Sequence, residues 1–323
     1  MSRAGDEGQG PRSGSRRAFT AGGHGMSRRL QMLQVARLAQ RSLGEAADLV
    51  VAFLQQLALP DGSYANRDGK SDLYYTSFAL DALAALDRQP DNAQQTRHWL
   101  EGFGDGSRLD FVHRCCLARA WAAQPAGSLP AGRGESIAQR ILDNRARDGG
   151  YATRADAYAG TAYGCFLAVN AGDDLGQPPL SVDDRQAIVD CLARLRSDDG
   201  GWANAAGQPQ GSTTATAAAV ATLQTLDARV PPEAGPFLLA QQHPTGGFLA
   251  TPDAPIPDLL STAVALHALD VLDVDWRQQH DLVLDFLDSL WSAAGGFHGS
   301  WADDVIDAEY TYYGLVALGH ASV

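Results

Sequence analysis

The stretch 198–220, DDGGWANAAGQPQGSTTATAAAV, decides the fold because the chain repeats its plan. A Gly-Gly-aromatic turn leads through a polar loop into a segment made almost entirely of Thr and Ala. Turns of the same kind begin at Gly149, Gly200, Gly246 and Gly295, so successive copies are 51, 46 and 49 residues apart. A period in this range indicates a repeat architecture, in which each unit buries its apolar surface against its neighbours.

Two earlier copies bring the repeat to six units. LPDGSYANRDGKSDLYYTSFALDALAALD carries its turn at Asp61-Gly62, and EGFGDGSRLDFVHRCCLARAWAAQ is a degenerate copy near Gly102. The helix before each turn is amphipathic, as in 181–197, where apolar residues recur at helical spacing with Asp and Arg opposite. The helix after each turn is apolar nearly all round, which predicts burial on both sides.

Alternating half-exposed and fully buried helices predict two concentric rings. An open solenoid would alternate in the same way, but six units are enough to close, so we expect an all-α, closed (α/α)6 barrel. The inner ring is expected at 72–87, 108–123, 156–171, 212–227, 257–272 and 307–321. An aspartate stands at or near the start of four of these segments. We expect it to be the N-cap, because its carboxylate can accept the free amide hydrogens of the first turn. These caps are Asp72, Asp110, Asp258 and Asp307.

The first 26 residues differ from the rest in composition. They are rich in Gly, Ser and Arg and predict a disordered tail, which leaves a single barrel domain at 27–323 and two candidate translation starts, Met1 and Met26. They also lack the apolar region of a secretory signal. Net charge is +4 over residues 1–30 and −17 over the remainder. The acidic body argues against a nucleic-acid partner, and no apolar run is long enough to span a membrane.

The four cysteines, Cys115, Cys116, Cys165 and Cys191, include no CxxC pair. This usage indicates neither a zinc ribbon nor a disulfide framework. Free cysteines are typical of a reducing compartment, so we expect the protein in the cytoplasm.

The turn, followed by an inner helix that ends in Leu-x-x-Leu, resembles the repeat of protein prenyltransferase β subunits and squalene-type terpenoid cyclases. The resemblance extends over about residues 44–320, and QLALPDGSY and DDGGW resemble the Gln/Trp motifs of the cyclases. A chain of six units is closer in length to a β subunit than to the cyclases, which usually have two such domains. The resemblance implies an α/α toroid that binds an isoprenoid or other hydrophobic ligand in its central cavity. It also implies an α-subunit-like protein partner.

The resembling β subunits hold a catalytic zinc ion, with Asp and Cys ligands at the start of one inner helix and a His ligand on the next. When the repeats are aligned, the positions of the Asp and Cys ligands fall on Gly211 and Thr213. The position of the His ligand falls on Ser261. The columns of the basic diphosphate-binding residues fall on Ala205 and Gln208. None of these residue types serves as a zinc ligand in such sites, so we expect no cofactor. His113 and Cys115 form a His-x-Cys pair, but no third ligand accompanies them.

The cyclases protonate an alkene with the Asp of a D-x-D-D motif, and this chain has none. It offers GDD at 172–174 and VDD at 182–184. DDVID at 303–307 matches a DDxxD magnesium motif. Because Asp307 is an expected helix cap and Asp303 and Asp304 precede it in the loop, these carboxylates are not predicted to converge on a cation.

Tyrosines crowd the starts of the inner helices, at positions 74, 75, 158, 163, 310, 312 and 313. We expect Tyr75, His113, Tyr158, Tyr163 and Tyr310 to line the cavity, with Tyr75 and Tyr310 foremost because the first and last repeats must meet. A rim of tyrosines over an apolar floor would suit a long hydrophobic ligand with a polar head.

Two alternatives stay open for this region. The tyrosines could be core residues whose hydroxyl groups bond loop carbonyls. The Thr/Ala segment either widens the cavity or lets two helices approach closely. Two functions stay open as well. One is a prenyltransferase-like or cyclase-like activity without the family zinc or D-x-D-D acid, and the other is a non-catalytic scaffold barrel that binds a partner protein.

Overall fold

The computed structural model describes residues 27–322, which form two layers of helices. One helix, α1 (Arg28–Leu43), precedes the repeats. The outer layer is made of α2 (Ala46–Gln56), α4 (Ala93–Glu101), α6 (Arg133–Leu142), α8 (Val182–Arg194), α10 (Ala234–Ala240) and α12 (His280–Ser289). The inner layer is made of α3 (Leu73–Ala85), α5 (Phe111–Ala122), α7 (Ala162–Asp174), α9 (Thr213–Thr225), α11 (Leu259–Val271) and α13 (Ala308–Ala321).

Short elements complete the part of the chain that the structure describes. Strands β1 (Tyr64–Ala65) and β2 (Ser71–Asp72) form an antiparallel hairpin in the first repeat, and a 3-10 turn (Arg277–Gln279) precedes α12. Among the helices of residues 27–322, none is long and apolar enough to cross a membrane.

Both layers close into rings. Each inner helix packs against the next one, and α13 packs against α3. In the outer layer, a Cβ atom added to Gly295 would lie 2.1 Å from the carbonyl oxygen of Leu49 in α2. The turn of the sixth repeat therefore sits against the outer helix of the first, with room only for glycine. The predicted closed (α/α)6 barrel is confirmed.

The buried aromatic residue after each turn is fixed to its inner helix. The backbone N–H of Trp202 donates to Thr216 Oγ1 at 2.9 Å, and that of Phe248 donates to Thr262 Oγ1 at 2.9 Å. In the third repeat the N–H of Tyr151 donates to Cys165 Sγ at 3.4 Å. The repeated turn thus anchors one aromatic ring between the two layers and sets where each inner helix begins.

The four expected aspartate N-caps are confirmed, since each accepts backbone N–H groups of its first helical turn. Five of the six predicted inner segments match helices to within a few residues. The prediction of 156–171 for the third segment begins too early, because α7 spans Ala162–Asp174. Thr161, the N-cap of α7, follows Tyr151 by ten residues, the same interval that separates Trp202 from its cap Ser212, and the cap in the third repeat is a threonine rather than an aspartate.

The expectation of twelve major helices is wrong by one, because α1 has no counterpart in the repeat. It lies along α13, where a Cβ atom on Gly319 would be 2.0 Å from the carbonyl oxygen of Val35. At the C-terminal ends of the inner helices, Arg29 donates to Ala122 O at 3.2 Å and Arg28 to Ala221 O at 3.3 Å. Helix C-termini present free carbonyls and a partial negative charge, so these arginines plug that end of the ring.

Candidate functional site

The inner ring surrounds a central space, and α7 shows its wall most clearly. Tyr163, Phe166, Asn170 and Asp174 follow one another at spacings of three or four residues, and each keeps accessible surface. Residues three and four apart lie on one face of a helix. This face of α7 therefore points into the space inside the ring.

Aromatic side chains of α3 and α13 form the facing wall. The Phe78 ring centroid lies 4.9 Å from that of Tyr74 and 5.5 Å from that of Tyr313. Tyr163 of α7 interacts electrostatically with both tyrosines, although α5 separates α7 from α3. Burial raises the pKa of all three hydroxyl groups. These side chains thus face one another across the ring, where burial disfavours the ionised form of each hydroxyl group.

A carboxyl group lies among these rings near the N-terminal ends of the helices. The hydroxyl of Tyr74 donates to Glu309 Oε1 at 2.6 Å. Burial raises the pKa of Glu309, because the charged form loses hydration in this space. We call this end, with the loops that surround it, the mouth of the ring.

The opposite end of the space is lined with charges. Asp81 of α3 is fully buried and accepts from Arg29 Nε at 2.7 Å and from Arg119 Nε at 2.6 Å. The guanidinium of Arg119 lies 4.2 Å from the Phe78 ring centroid and 5.0 Å from that of Tyr312. Burial works against the charge of Arg119, but Asp81 raises its pKa. Each guanidinium is therefore held in its charged form by the same carboxylate.

Asp174 completes this charged end, which we call the floor: Arg29, Asp81, Arg119 and Asp174. Burial raises the pKa of Asp174 to about 7; Asp81 adds to the increase, and the two arginines oppose it. Asp174 is thus partly protonated near neutral pH. The expected apolar floor is wrong, because the plug formed by α1 brings arginines to the helix ends and these require buried carboxylates.

The remaining sides of the space carry small and aliphatic side chains. Helices α9 and α11 contribute Thr214, Ala217, Ala218, Ala221, Leu260 and Val264 at the spacings that mark the inner faces of α3 and α7. Alanines at these positions leave room opposite the aromatic wall. The Thr/Ala segment therefore borders the space with short side chains.

The five residues expected to line the cavity lie in different places. Tyr163 faces the central space, and Tyr75 makes an edge contact with Tyr74 at 5.6 Å. Tyr310 lies at the mouth under Arg67, 5.3 Å from the guanidinium to the ring centroid. His113 Nδ1 lies 2.9 Å from the carboxylate of its own cap, Asp110. Tyr158 is 80% exposed on the loop before α7, outside the ring.

The sequence did carry a signal for the residues that this selection omitted. The inward face of each helix begins two residues after its N-cap, whereas Tyr75, His113, Tyr310 and Ser261 come three residues after it. Counting from the cap at helical spacing would have found the omitted lining residues. They are Tyr74, Phe78, Asp81, Arg119, Phe166, Asp174, Glu309 and Tyr313.

The three residues that align with the zinc ligands of the family bond other parts of this chain. The N–H of Gly211 donates to Asp199 Oδ2 at 2.8 Å, and Thr213 Oγ1 donates to the carbonyl oxygen of Leu249. Ser261 Oγ donates to Asp258 Oδ2 at 2.7 Å. These residues do not fit a zinc ion, which takes sulfur, imidazole or carboxylate ligands. Within residues 27–322, no group of three or more His, Cys, Asp and Glu is placed to hold a metal.

The carboxylates of the DDVID segment are joined to an arginine. Arg67, in the hairpin of the first repeat, lies 2.7 Å from Asp303 Oδ2 through one nitrogen and 2.7 Å from Asp307 Oδ2 through another. This pairing bridges the first and last repeats at the mouth. It leaves the two carboxylates facing a guanidinium rather than each other.

Comparison with known proteins places the chain among toroids. The model of the prenyltransferase alpha-alpha toroid domain matches residues 27–159, 152–234 and 231–321. No protein with a curated description matches in sequence. The type II terpene cyclase MstE from Scytonema is similar in structure, with a TM-score of 0.59 at 14% identity over 87% of this chain and 97% of that chain.

Two further solved structures are comparably similar. Protein geranylgeranyltransferase-I from Candida albicans, complexed with GGPP, has a TM-score of 0.63 at 12% identity, covering 84% of this chain and 90% of that one. An inactive α-1,6-mannanase variant from Salegentibacter, in complex with α-1,6-mannotetrose, has a TM-score of 0.60 at 12% identity, covering 86% and 98%. These likenesses show the fold alone. The family match spans nearly all of residues 27–321, and the chain belongs to the prenyltransferase alpha-alpha toroid domain family.

Proposed function

We propose that this protein binds an isoprenoid or similar hydrophobic ligand in the central space of its inner ring. The observation that carries the proposal is the aromatic wall, in which five rings from three inner helices border the space, three on one side and two on the other. They are Tyr74, Phe78, Tyr163, Phe166 and Tyr313. Apolar surface removed from water contributes about 25 cal/mol per Å², so a long chain laid along such a wall would bind by burial alone.

The comparisons support the ligand class without deciding it. A MstE variant is in complex with geranylgeranyl dihydroxybenzoate, and the geranylgeranyltransferase is complexed with GGPP. The mannanase variant of similar fold holds a glycan instead. The fold alone therefore leaves the ligand open, and the lining of the space is the observation that favours one class over the other. Aromatic rings opposite alanine and valine favour an apolar chain over a sugar, which needs a hydrogen-bond partner for each hydroxyl.

The proposed ligand binds without zinc. Thiolate activation requires a metal ligand set, and Gly211, Thr213 and Ser261 supply none of its atoms. The hydroxyls of Thr213 and Ser261 are already donated to a backbone carbonyl and to a capping carboxylate. A prenyltransferase-like reaction that depends on zinc is therefore not part of the proposal.

The test is a titration with farnesol and geranylgeraniol, followed by the change in thermal unfolding and by direct binding. Wild type should bind at least one of them saturably at micromolar concentration. Tyr163→Ala removes a ring from the wall and should weaken binding about tenfold, which corresponds to about 1.4 kcal/mol. Tyr158→Ala, the matched control outside the ring, should bind like wild type.

Circular dichroism should show the same helical content in all three proteins. Two results would overturn the proposal. One is the absence of saturable binding by wild type, and the other is equal weakening by both tyrosine variants. The scaffold barrel that binds a partner protein would then be the better account.

A further inference from the structure

We propose that the floor at Arg119 binds the carboxylate or phosphate head of an amphiphilic ligand whose apolar chain runs along the aromatic wall toward the mouth. The inference rests on the proposed function and adds two things to it. It gives the charge of the ligand, and it gives the direction in which the ligand lies.

The first observation is that Arg29 and Arg119 share one ion-paired carboxylate at the floor. Both bond Asp81, so the second guanidinium is balanced only when Asp174 is ionised. Arg28 brings a third guanidinium to the same end of the ring through its bond to Ala221 O, and Asp173 partly offsets its charge. A charge in a poorly hydrated space is stabilised by a partner of opposite sign, which a bound anion would supply.

The second observation is that a buried hydrogen-bond donor at this end lacks an acceptor. Arg28 is nine-tenths buried, and its Nε has no hydrogen-bond partner within the described chain. Buried polar groups are normally bonded, so the deficit marks an end of the ring that is short of acceptor atoms.

Arg119 is the member of the floor that a ligand can reach. Its side chain is 23% accessible, whereas those of Arg29 and Asp81 are 7% and 0% accessible. It interacts electrostatically with Tyr163 of α7 and Tyr313 of α13, which both face the central space. The accessible part of the Arg119 side chain therefore borders that space.

The floor and the aromatic wall are continuous. The guanidinium of Arg119 lies over the Phe78 ring, and Phe78 contacts Tyr74 and Tyr313 toward the mouth. A head group on Arg119 would leave the attached chain against these rings. An alcohol would gain the same apolar contacts but no charge pairing with Arg119.

Asp174 makes this recognition depend on pH. The charged groups that face it are Arg29 of α1, Asp81 of α3, Arg119 of α5 and its neighbour Asp173. When Asp174 is protonated, the guanidinium charge is free for a ligand anion. When Asp174 ionises, it balances that charge and repels the anion, so anion affinity falls as pH rises through about 7, the pKa of Asp174.

The experiment compares three probes that share one chain: farnesoic acid, farnesyl phosphate and farnesol. At pH 6 the anionic probes should bind wild type at least tenfold more tightly than farnesol. The preference for farnesoic acid should shrink severalfold at pH 8. The two anionic probes distinguish a carboxylate head from a phosphate head.

Two variants test the roles of the residues. Asp174→Asn should retain tight binding of farnesoic acid at pH 8 and flatten its pH profile, an increase that damage to the fold would not produce. Arg119→Gln should lose the preference for anionic probes, so that it binds farnesoic acid and farnesyl phosphate no more tightly than it binds farnesol. The inference is overturned if farnesol binds wild type as tightly as both anions at pH 6, or if Asp174→Asn leaves the profile unchanged. In those cases farnesol binding still supports the proposed function, whereas failure of all three probes contradicts both.

Discussion

The two ends of the inner ring use the same ionic chemistry in different surroundings. At the mouth, Arg67 pairs with Asp303, and the two side chains are 34% and 20% accessible. At the floor, Arg29 pairs with Asp81, and the side chains are 7% and 0% accessible. The mouth pair joins two copies of the repeat, whereas the floor pair joins the repeat to α1. The comparison indicates that burial, rather than ion pairing itself, sets how strongly each end of the ring depends on its charged pair.

The largest expected effect comes from removing one partner of the floor pair. Arg29→Ala leaves Asp81 buried with half of its ion pairing, and breaking a buried pair in this way costs about 3–5 kcal/mol. We expect urea unfolding to show a loss of this size in the free energy of unfolding.

Asp303→Ala is the matched control at the mouth, because it removes the partly exposed partner of Arg67 and leaves Arg67 paired with Asp307. The partly exposed pair should contribute about 1 kcal/mol, because water and salt screen it. Equal losses in the two variants would show that burial does not distinguish the two ends of the ring.

Asp174 provides a smaller effect with a definite pH dependence. Its pKa is raised in the folded protein to about 7, so the folded state binds this proton more tightly than the unfolded state does. The stability associated with that proton is present at low pH and declines as pH rises from about 4 to about 7. Asp174→Asn should therefore stabilise the protein at pH 8, on the order of 2 kcal/mol after allowance for solvent near the side chain.

At pH 4 the gain from Asp174→Asn should vanish, because wild-type Asp174 is then protonated in the folded state. Asp190→Asn, on the exposed surface of α8, controls for the loss of one negative charge. Thermal unfolding at both pH values measures the difference. A gain that is the same at pH 4 and pH 8 would contradict the assignment of a raised pKa to Asp174.

The smallest expected signal is that of zinc. Elemental analysis of protein purified without chelators should find well under one zinc ion per chain, because Gly211, Thr213 and Ser261 supply no suitable ligand atoms. One tightly held equivalent would contradict this prediction. It would direct attention to His113 and Cys115.

The mouth could be predicted from the sequence because the repeat encodes it. The glycines of each turn, the aspartate caps and the apolar inner helices recur at a fixed period, and closure followed from their number. The residues of the wall were predicted less accurately. Tyr75 and Tyr310 were expected to line the space, but each comes one residue after the inward-facing residue of its helix, Tyr74 or Glu309. A step of one residue turns a helix by about 100°, enough to move a side chain from the central space toward its rim.

The floor was only partly within reach of the sequence. Asp81 and Arg119 both come nine residues after the N-caps of their helices, on the inward face that the repeat defines, but Arg29 comes from α1, which lies outside the repeat. Their pairing depends on where α1 docks, and this follows from contacts such as that between Val35 and Gly319. A helix outside the repeat gives no pattern that predicts its partners.

The most direct test of ligand binding in the central space is photo-crosslinking with a diazirine-labelled farnesol, read by peptide mass spectrometry. The account predicts labelled peptides from α3, α7 and α13, and loss of the label when unlabelled farnesol is added. Two outer grooves, one beside Gly200 and Phe237 and one beside Asp61 and Trp99, are the alternative sites for a hydrophobic probe. Labelling confined to these grooves, or labelling that unlabelled farnesol does not displace, would contradict the account.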